Sequence, residues 1–245
     1  VIGPLSLYVH IPFCRNICYY CACNKIVTRD AAVAERYIVA LEKEIALLAH
    51  HHDQRRRVTQ LHWGGGTPTF LSPSELTRLM HGLARHFSLI DAPEREYSIE
   101  IDPRSVDTGT IALLKGLGFN RISMGIQDFD PQVQRAINRI QPFDMVESLV
   151  DAVREHRFKS LSFDLIYGLP LQSPASMEET LAKVLALNPD RVSCYSYAHL
   201  PDMFSSQRSI DRMQLPSADA KLEVLHTIID TLTDAGYLYV GMDHF

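Results

Sequence analysis

Four of the chain's five cysteines lie within ten residues, in Leu7-Tyr8-Val9-His10-Ile11-Pro12-Phe13-Cys14-Arg15-Asn16-Ile17-Cys18-Tyr19-Tyr20-Cys21-Ala22-Cys23-Asn24-Lys25. Cys14, Cys18 and Cys21 follow a C-x3-C-x2-C spacing. Thiols this close on one loop do not suit a disulfide framework, which needs separated backbone positions and an oxidising compartment. They suit a shared metal or an iron–sulfur cluster. The usual iron–sulfur site takes four thiolates. Three would leave one iron open, and an open coordination position is what separates a catalytic metal site from a structural one. Cys23 keeps a rival reading in play, because a fourth thiolate would complete a structural zinc site. Such sites usually draw ligand pairs from two separated knuckles, whereas this loop offers one contiguous cluster. Cys194, between Ser193 and Tyr195 in a strand-like run, reads as a buried small hydrophobe.

Other segments could also bear chemistry. Gly64-Gly65-Gly66-Thr67-Pro68 carries three residues that are entropically costly to fix. They would let backbone approach a ligand closely, although a tight strand-to-helix turn also accounts for them. Glu100 and Asp164 sit inside apolar runs, where an acid is expensive unless paired or hydrogen-bonded. A carboxylate at such a position suits a ribose diol, and a structural salt bridge is the alternative. Arg139 could hold a ligand carboxylate bidentately, but spacing alone favours a surface ion pair. His50-His51-His52-Asp53 and Arg55-Arg56-Arg57 read as a solvated loop rather than a metal-binding tract.

The elements that must position these residues follow from periodicity. Strands are expected over residues 5–11, 58–63, 96–101, 120–126, 160–167 and 191–197, with a seventh strand-like run over 237–240. Helices are expected over about 30–50, from the Ser72-Pro73-Ser74-Glu75 capping box onward, and over 107–117 before Gly118. Further helices are expected around a break at Pro142, from Ser173-Pro174 to Asn188, and over 217–235. Strand and helix alternate six times, which argues for an α/β fold with a parallel sheet, either a barrel or a doubly wound sheet. No G-x-G-x-x-G follows the first strand, which weakens a dinucleotide-binding reading. In a parallel barrel the functional groups gather at the carboxyl ends of the strands. The expected ends carry the three cysteines, Gly64 to Thr67, Glu100, Gln127, Asp164 and Ala198-His199, so unusual residues stand at all six.

At 245 residues the chain is long enough for one α/β barrel. Its net charge of −5 gives no nucleic-acid footprint and no basic membrane face. No apolar run reaches the length of a bilayer span. A cytoplasmic enzyme with neither nucleic-acid nor membrane partners is the expectation. The ends, Val1-Ile2-Gly3-Pro4 and Gly241-Met-Asp-His-Phe245, read as those of a piece of a longer protein.

The C-x3-C-x2-C loop after a first strand, followed by a glycine-rich second loop, resembles the radical S-adenosylmethionine (SAM) enzymes. Within them the chain is similar to the oxygen-independent coproporphyrinogen III oxidase family. That likeness rests on Tyr8-Val-His-Ile-Pro-Phe-Cys14, Cys21-Ala-Cys23-Asn24-Lys25-Ile26, His62-Trp-Gly-Gly-Gly-Thr-Pro68 and Asp164-Leu-Ile-Tyr-Gly-Leu-Pro170. Ser123-Met-Gly-Ile-Gln127-Asp-Phe129, Tyr197-Ala-His-Leu-Pro201 and Gly241-Met-Asp-His-Phe245 extend it over essentially the whole chain. Related haem chaperones carry Asp-Phe after the third cluster cysteine, whereas Ala22-Cys23-Asn24 is the form that goes with the oxidases. A haem-binding chaperone is therefore the alternative function.

The resemblance implies a partial (β/α)6 TIM-like barrel of the radical SAM type. Residues 1–245 would form the catalytic core, without the family's N-terminal segment and C-terminal helical domain. It further implies a [4Fe–4S] cluster on Cys14, Cys18 and Cys21, with SAM chelating the open iron and Cys23 not a ligand. Tyr20 would pack near the adenine, and Tyr8, Gly65, Glu100 and Ala198 would line this first SAM site. Gly66, Thr67, Gln127, Arg139 and Asp164 would serve a second SAM molecule. The implied reaction is reductive cleavage of SAM to a 5′-deoxyadenosyl radical, which abstracts hydrogen from a substrate propionate. Two such oxidative decarboxylations turn coproporphyrinogen III into protoporphyrinogen IX in haem biosynthesis. The implied protein is a monomer supplied with electrons by a donor such as reduced flavodoxin. Arg15, Lys25 and Arg29 are candidates for the substrate carboxylates by position.

Overall fold

The computed structural model describes residues 3–53 and 55–245, so Val1-Ile2 of the sequence reading lies outside the described residues. Pro4 and Pro12 bracket the first strand, β1 (Leu5–Ile11), and the cysteine loop follows, pinched at its base by β2 (Phe13–Cys14) and β3 (Ile26–Val27). Asp30 caps α1 (Ala31–His50) by accepting from Ala32 N. β4 (Arg57–Gly65) runs further than expected and takes in the first two glycines. It leads to α2 (Pro73–His86), where the Ser72–Glu75 capping box forms as read from the sequence. The short β5 (Ser88–Leu89) pairs with β4. Then come β6 (Glu96–Ile101), α3 (Thr108–Gly116), β7 (Arg121–Gln127), α4 (Pro131–Ala136), α5 (Phe143–Glu155), β8 (Ser160–Tyr167), α6 (Pro174–Leu187), β9 (Arg191–Ser196) and α7 (Ala218–Asp234).

The main sheet is parallel throughout and runs β1-β4-β6-β7-β8-β9. Each successive long strand joins the same side of its predecessor. A doubly wound sheet reverses direction at a switch point; this order never does, so it is the partial, six-stranded barrel arrangement. Among the described residues no helix is long and apolar enough to cross a membrane.

Apolar and polar positions largely alternate along the strands. Leu61 and Trp63, Tyr97, Ile99 and Ile101, Ile122 and Met124, Leu161, Phe163 and Leu165, and Val192 and Cys194 are buried in the core packed under the helices. The intervening positions are Gln60 and His62, Ser98 and Glu100, Arg121 and Ser123, Ser162 and Asp164, and Ser193 and Tyr195. They line a lumen of about 1340 Å³. Barrel interiors are ordinarily filled by branched apolar side chains. A polar one puts carboxylates and hydroxyls at the disposal of whatever sits at the strand ends.

One expectation fails. Residues 237–240 are not a strand; Leu238 and Val240 are exposed and have no face to bury. The edge of β9 is instead occupied further along, where Phe245 and Val192 exchange backbone hydrogen bonds of 2.8 and 3.0 Å and Cys194 N donates to Asp243 O at 2.8 Å.

Candidate functional site

The cysteine loop is fastened at both ends and from across the barrel. Gly66 N donates to Ile11 O at 2.9 Å and Thr67 N to Phe13 O at 2.9 Å, which ties the loop's start to the glycine run. Tyr19 N donates to Ile137 O at 3.0 Å and Asn138 Nδ2 to Ile17 O at 2.8 Å, so the connection after α4 grips its middle. Gln207 Nε2 donates to Tyr20 O at 3.0 Å and to Ala198 O at 3.1 Å, linking the loop to the end of β9. Lys25 Nζ and Ser206 Oγ both donate to Cys21 O at 3.0 Å. All five cysteines are unbridged.

This fastening closes a cavity of about 610 Å³ over the carboxyl ends of the strands. It brings together Cys14, Cys18, Cys21, Tyr20, Gly65, Gly66, Thr67, Glu100, Gln127, Arg139, Asp164 and Ala198. Arg15, Lys25 and Cys23 also border it, whereas Arg29 does not. Tyr8 stands apart from this cavity. Its ring lines the neighbouring lumen, stacked on His62 at 5.7 Å between centroids, with its hydroxyl 3.0 Å from His10 Nδ1. The two spaces meet at Glu100, Asp164 and Tyr195, which border both.

The surface ion pair favoured for Arg139 is corrected by the structure. The guanidinium is 7% exposed and lies 3.1 Å from Asp102 Oδ2, donating also to Gly125 O and to Cys18 Sγ at 3.5 Å. Asn138, in the left-handed region at φ 54°, turns the chain so that the next side chain points inward.

Each candidate group has a distinct electrostatic setting. Burial pushes the Cys14 thiol up, while the Thr67 hydroxyl, 3.5 Å from its sulfur, pulls the other way. The neighbouring Cys23 thiol holds the Cys21 thiol down at about 6, and Cys23 is itself pushed up by Cys21. Burial drives Asp102 up, but Arg139 and Arg104 outweigh it and hold the carboxyl at about 2. Asp164 is pushed up to about 6 by burial, against the Ser123 hydroxyl that donates to it at 2.9 Å. Glu100 is held on both oxygens, by His62 Nε2 at 3.1 Å and by Gly65 N at 3.2 Å.

A cluster with SAM on an open iron needs soft thiolates along one wall, donors to their sulfurs and side-chain-free backbone opposite. The three thiols border one shared space. Thr67, Arg104 and Arg139 donate to sulfur. A Cβ at Gly66 would lie 2.7 Å from Pro12 O, and one at Gly65, where φ is +118°, would strike the His10 ring. The residues fit the group.

Several site residues escaped the sequence reading. Asp102 and Arg104 border the cavity at the end of β6, and Tyr195, Ser196 and Tyr197 border it at the end of β9. Asp102 and Arg104 follow a strand that ends where the sequence predicts, but the strand-end rule does not say which of the residues beyond an end turn toward the cavity. Gly125 is hidden differently: a Cβ there would lie 2.7 Å from Gln127 Nε2 and 2.8 Å from Arg139 Nη2. Gln127 itself follows a register shift in β7 and takes φ 68°, a strained value for a non-glycine residue.

The chain is similar to several known proteins. The oxygen-independent coproporphyrinogen III oxidase of Pseudomonas aeruginosa is 52% identical over 242 residues, covering 99% of this chain and 53% of that protein. The enzyme of the same name from Escherichia coli is 49% identical over 246 residues, 99% of this chain and 52% of its own. The chain thus spans about half the length of the curated relatives it matches. A solved coproporphyrinogen III oxidase from Escherichia coli, described as a radical SAM enzyme, superposes with a TM-score of 0.96 at 49% identity, over 99% of this chain and 55% of that one. Methylornithine synthase, at 14% identity and a TM-score of 0.59 over 94% of this chain and 63% of its own, shares the fold alone. The sequence profile of the Radical SAM superfamily matches residues 8–184, and the chain belongs to that superfamily.

Proposed function

We propose that the chain is the catalytic core of an oxygen-independent coproporphyrinogen III oxidase, working in the cytoplasm as a monomer. It would convert two propionate side chains of coproporphyrinogen III to vinyl groups, giving protoporphyrinogen IX. One observation carries this reading. Twelve residues named by the family likeness border one cavity, in a chain whose fold matches that of a coproporphyrinogen III oxidase at 49% identity.

Cys14, Cys18 and Cys21 would hold the [4Fe–4S] cluster, and one iron would be left for SAM. When bound, cluster and SAM supply one-electron reduction and a carbon radical able to abstract hydrogen. The protein's task is then placement and exclusion of water. Glu100, fixed by His62 and Gly65, offers carboxylate oxygens to a ribose diol. Gly65, Gly66 and Ala198 present backbone, and Tyr20 offers an aromatic face to the adenine. Gly66, Thr67, Gln127, Arg139 and Asp164 would hold a second SAM molecule. Arg15 and Lys25, at the border of the cavity, suit the remaining substrate carboxylates. Electrons would come from a low-potential one-electron donor such as reduced flavodoxin.

The test is anaerobic reconstitution with iron and sulfide, followed by an assay for 5′-deoxyadenosine with and without coproporphyrinogen III. Protein that stays colourless and free of iron would sink the reading. Cluster-loaded protein that forms 5′-deoxyadenosine but leaves the propionates intact would move the substrate assignment elsewhere within the superfamily.

A further inference from the structure

The three candidate cluster ligands are not surrounded alike. Cys14 Sγ has the Thr67 hydroxyl at 3.5 Å. Cys18 Sγ accepts from two guanidiniums, Arg104 Nη2 at 3.2 Å and Arg139 Nη1 at 3.5 Å. Asp102 lies between the two arginines. It accepts from Arg104 Nη2 at 2.7 Å and Nε at 3.0 Å, and from Arg139 Nη1 at 3.1 Å. The formal charges of these three side chains leave one net positive charge beside a single sulfur.

The arrangement is rigid for reasons visible in the chain. Asp102 caps the 3-10 turn Pro103–Ser105 by accepting from Arg104 N, so the residue that aims the guanidinium also shapes the backbone carrying it. Arg104 Nη1 donates to Asn138 O at 3.2 Å, and Asn138 in turn holds the cysteine loop through Ile17 O. Arg104 is largely shielded, with 15% of its side chain exposed, so its charge is weakly screened.

We infer that Arg104, aimed by Asp102, is a positioning residue that raises the reduction potential of the cluster by donating to Cys18 Sγ. This rests on the reading that Cys18 is a cluster ligand. Reduction adds one negative charge, part of which resides on the ligand sulfurs. A charge-assisted N–H donor favours the more negative state, and hydrogen bonds to sulfur are among the factors that set cluster potentials. An ion pair that merely stapled the loop would change stability and cluster retention, and would leave the potential alone.

The experiment compares parent protein with Arg104→Gln, Arg104→Lys and Arg15→Gln. Each is reconstituted anaerobically, assayed for iron and sulfide, and titrated by redox potentiometry with electron paramagnetic resonance detection, without SAM or substrate. Arg104→Gln should reduce at a more negative potential than the parent, with Arg104→Lys between them. Arg15→Gln is the control, because that cation lies on the same loop over the Phe70 ring, 4.9 Å from its centroid, and among the described residues its hydrogen bond goes to Phe70 O rather than to a sulfur. It should leave the potential in place. Loaded Arg104→Gln with the parent's potential would overturn the inference, as would an equal shift in Arg15→Gln. If Arg104→Gln fails to hold a cluster, Arg104→Lys decides by the same criterion, a negative shift for and an unchanged potential against. A parent protein that takes up no iron overturns the functional reading and this inference with it. A loaded parent with unshifted Arg104 variants overturns only the inference.

Discussion

His62 Nε2 and Glu100 Oε1 lie 3.1 Å apart across β4 and β6, and this contact fixes the carboxylate that Gly65 N reaches from the other side. His62 Nδ1 is itself 2.7 Å from Ser98 Oγ, so the imidazole is held on both nitrogens. The glycine run, the polar lumen and the strand-end acid are thereby one unit. A Cβ at Gly64 would lie 2.8 Å from Glu100 Oε1, which explains why the run begins where it does.

If Glu100 grips the ribose of SAM, His62 matters through Glu100's orientation. His62→Ala should weaken SAM binding to cluster-loaded protein by about 5-fold, the worth of roughly 1 kcal/mol for one hydrogen bond. His62→Gln, which keeps a donor, should recover part of the loss. Isothermal titration calorimetry under anaerobic conditions reads both. An unchanged Kd in His62→Ala would show that Gly65 alone orients the carboxylate.

Asp164 gives a pH dependence whose sign is fixed by burial. Its carboxyl is raised to about 6 in the folded chain, above the unfolded value near 3.8. The protonated form is the one the fold favours. Its contribution to stability is therefore complete below about pH 4 and lost as pH rises through 6. Asp164→Asn carries no such penalty. At pH 7.5 the variant should melt about 2–6 °C above the parent, and the difference should close toward pH 4. A gap that stays constant with pH would mean the carboxyl titrates normally.

Much of this was legible in the residues because local and global signals agree. Alternating polarity along the strands, the Ser72–Glu75 box and Gly118 after α3 gave the order of elements; the strand-end rule reached ten residues of one cavity, and the family likeness added Tyr20 and Arg139. What stayed hidden depends on distance. Arg139 and Cys18 are 121 residues apart, and nothing near Arg139 in sequence says that Asn138 turns it inward onto Asp102. Tyr237 to Val240 failed for the opposite reason. Its β-forming composition is genuine, but β-propensity reflects a surface to pack against, and Leu238 and Val240 meet solvent. Tyr8 shows a third limit, since period-2 alternation gave its strand but not which of two adjoining spaces its ring would enter.

Gly66 and Gly82 separate a glycine the site requires from one it tolerates. A Cβ on Gly66 would meet Pro12 O at 2.7 Å and Phe13 O at 2.9 Å, both backbone atoms that cannot swing aside. A Cβ on Gly82, inside α2, would meet nothing within 4 Å. Gly66→Ala should cost about 1–3 kcal/mol, the range for overpacking, and should loosen the cysteine loop tied to it. Gly82→Ala should stabilise by about 0.5–1 kcal/mol through helix propensity. Urea denaturation reads both, and equal effects would contradict the close approach at Gly66.

The two kinds of cysteine provide the remaining contrast. Cys14 borders the cavity with Thr67 on its sulfur, whereas Cys194 is 1% exposed in the core, where burial pushes its thiol up and keeps it inert. Cys14→Ala should abolish retention of iron and the visible absorption of the cluster while leaving the fold intact. Cys194→Ala removes one buried sulfur from a packed strand face and should cost about 1 kcal/mol in stability with iron content unchanged. Iron and sulfide analysis after anaerobic reconstitution, alongside circular dichroism melting, distinguishes them. Full iron in Cys14→Ala would remove that residue from the ligand set, and with it the reason for an open iron.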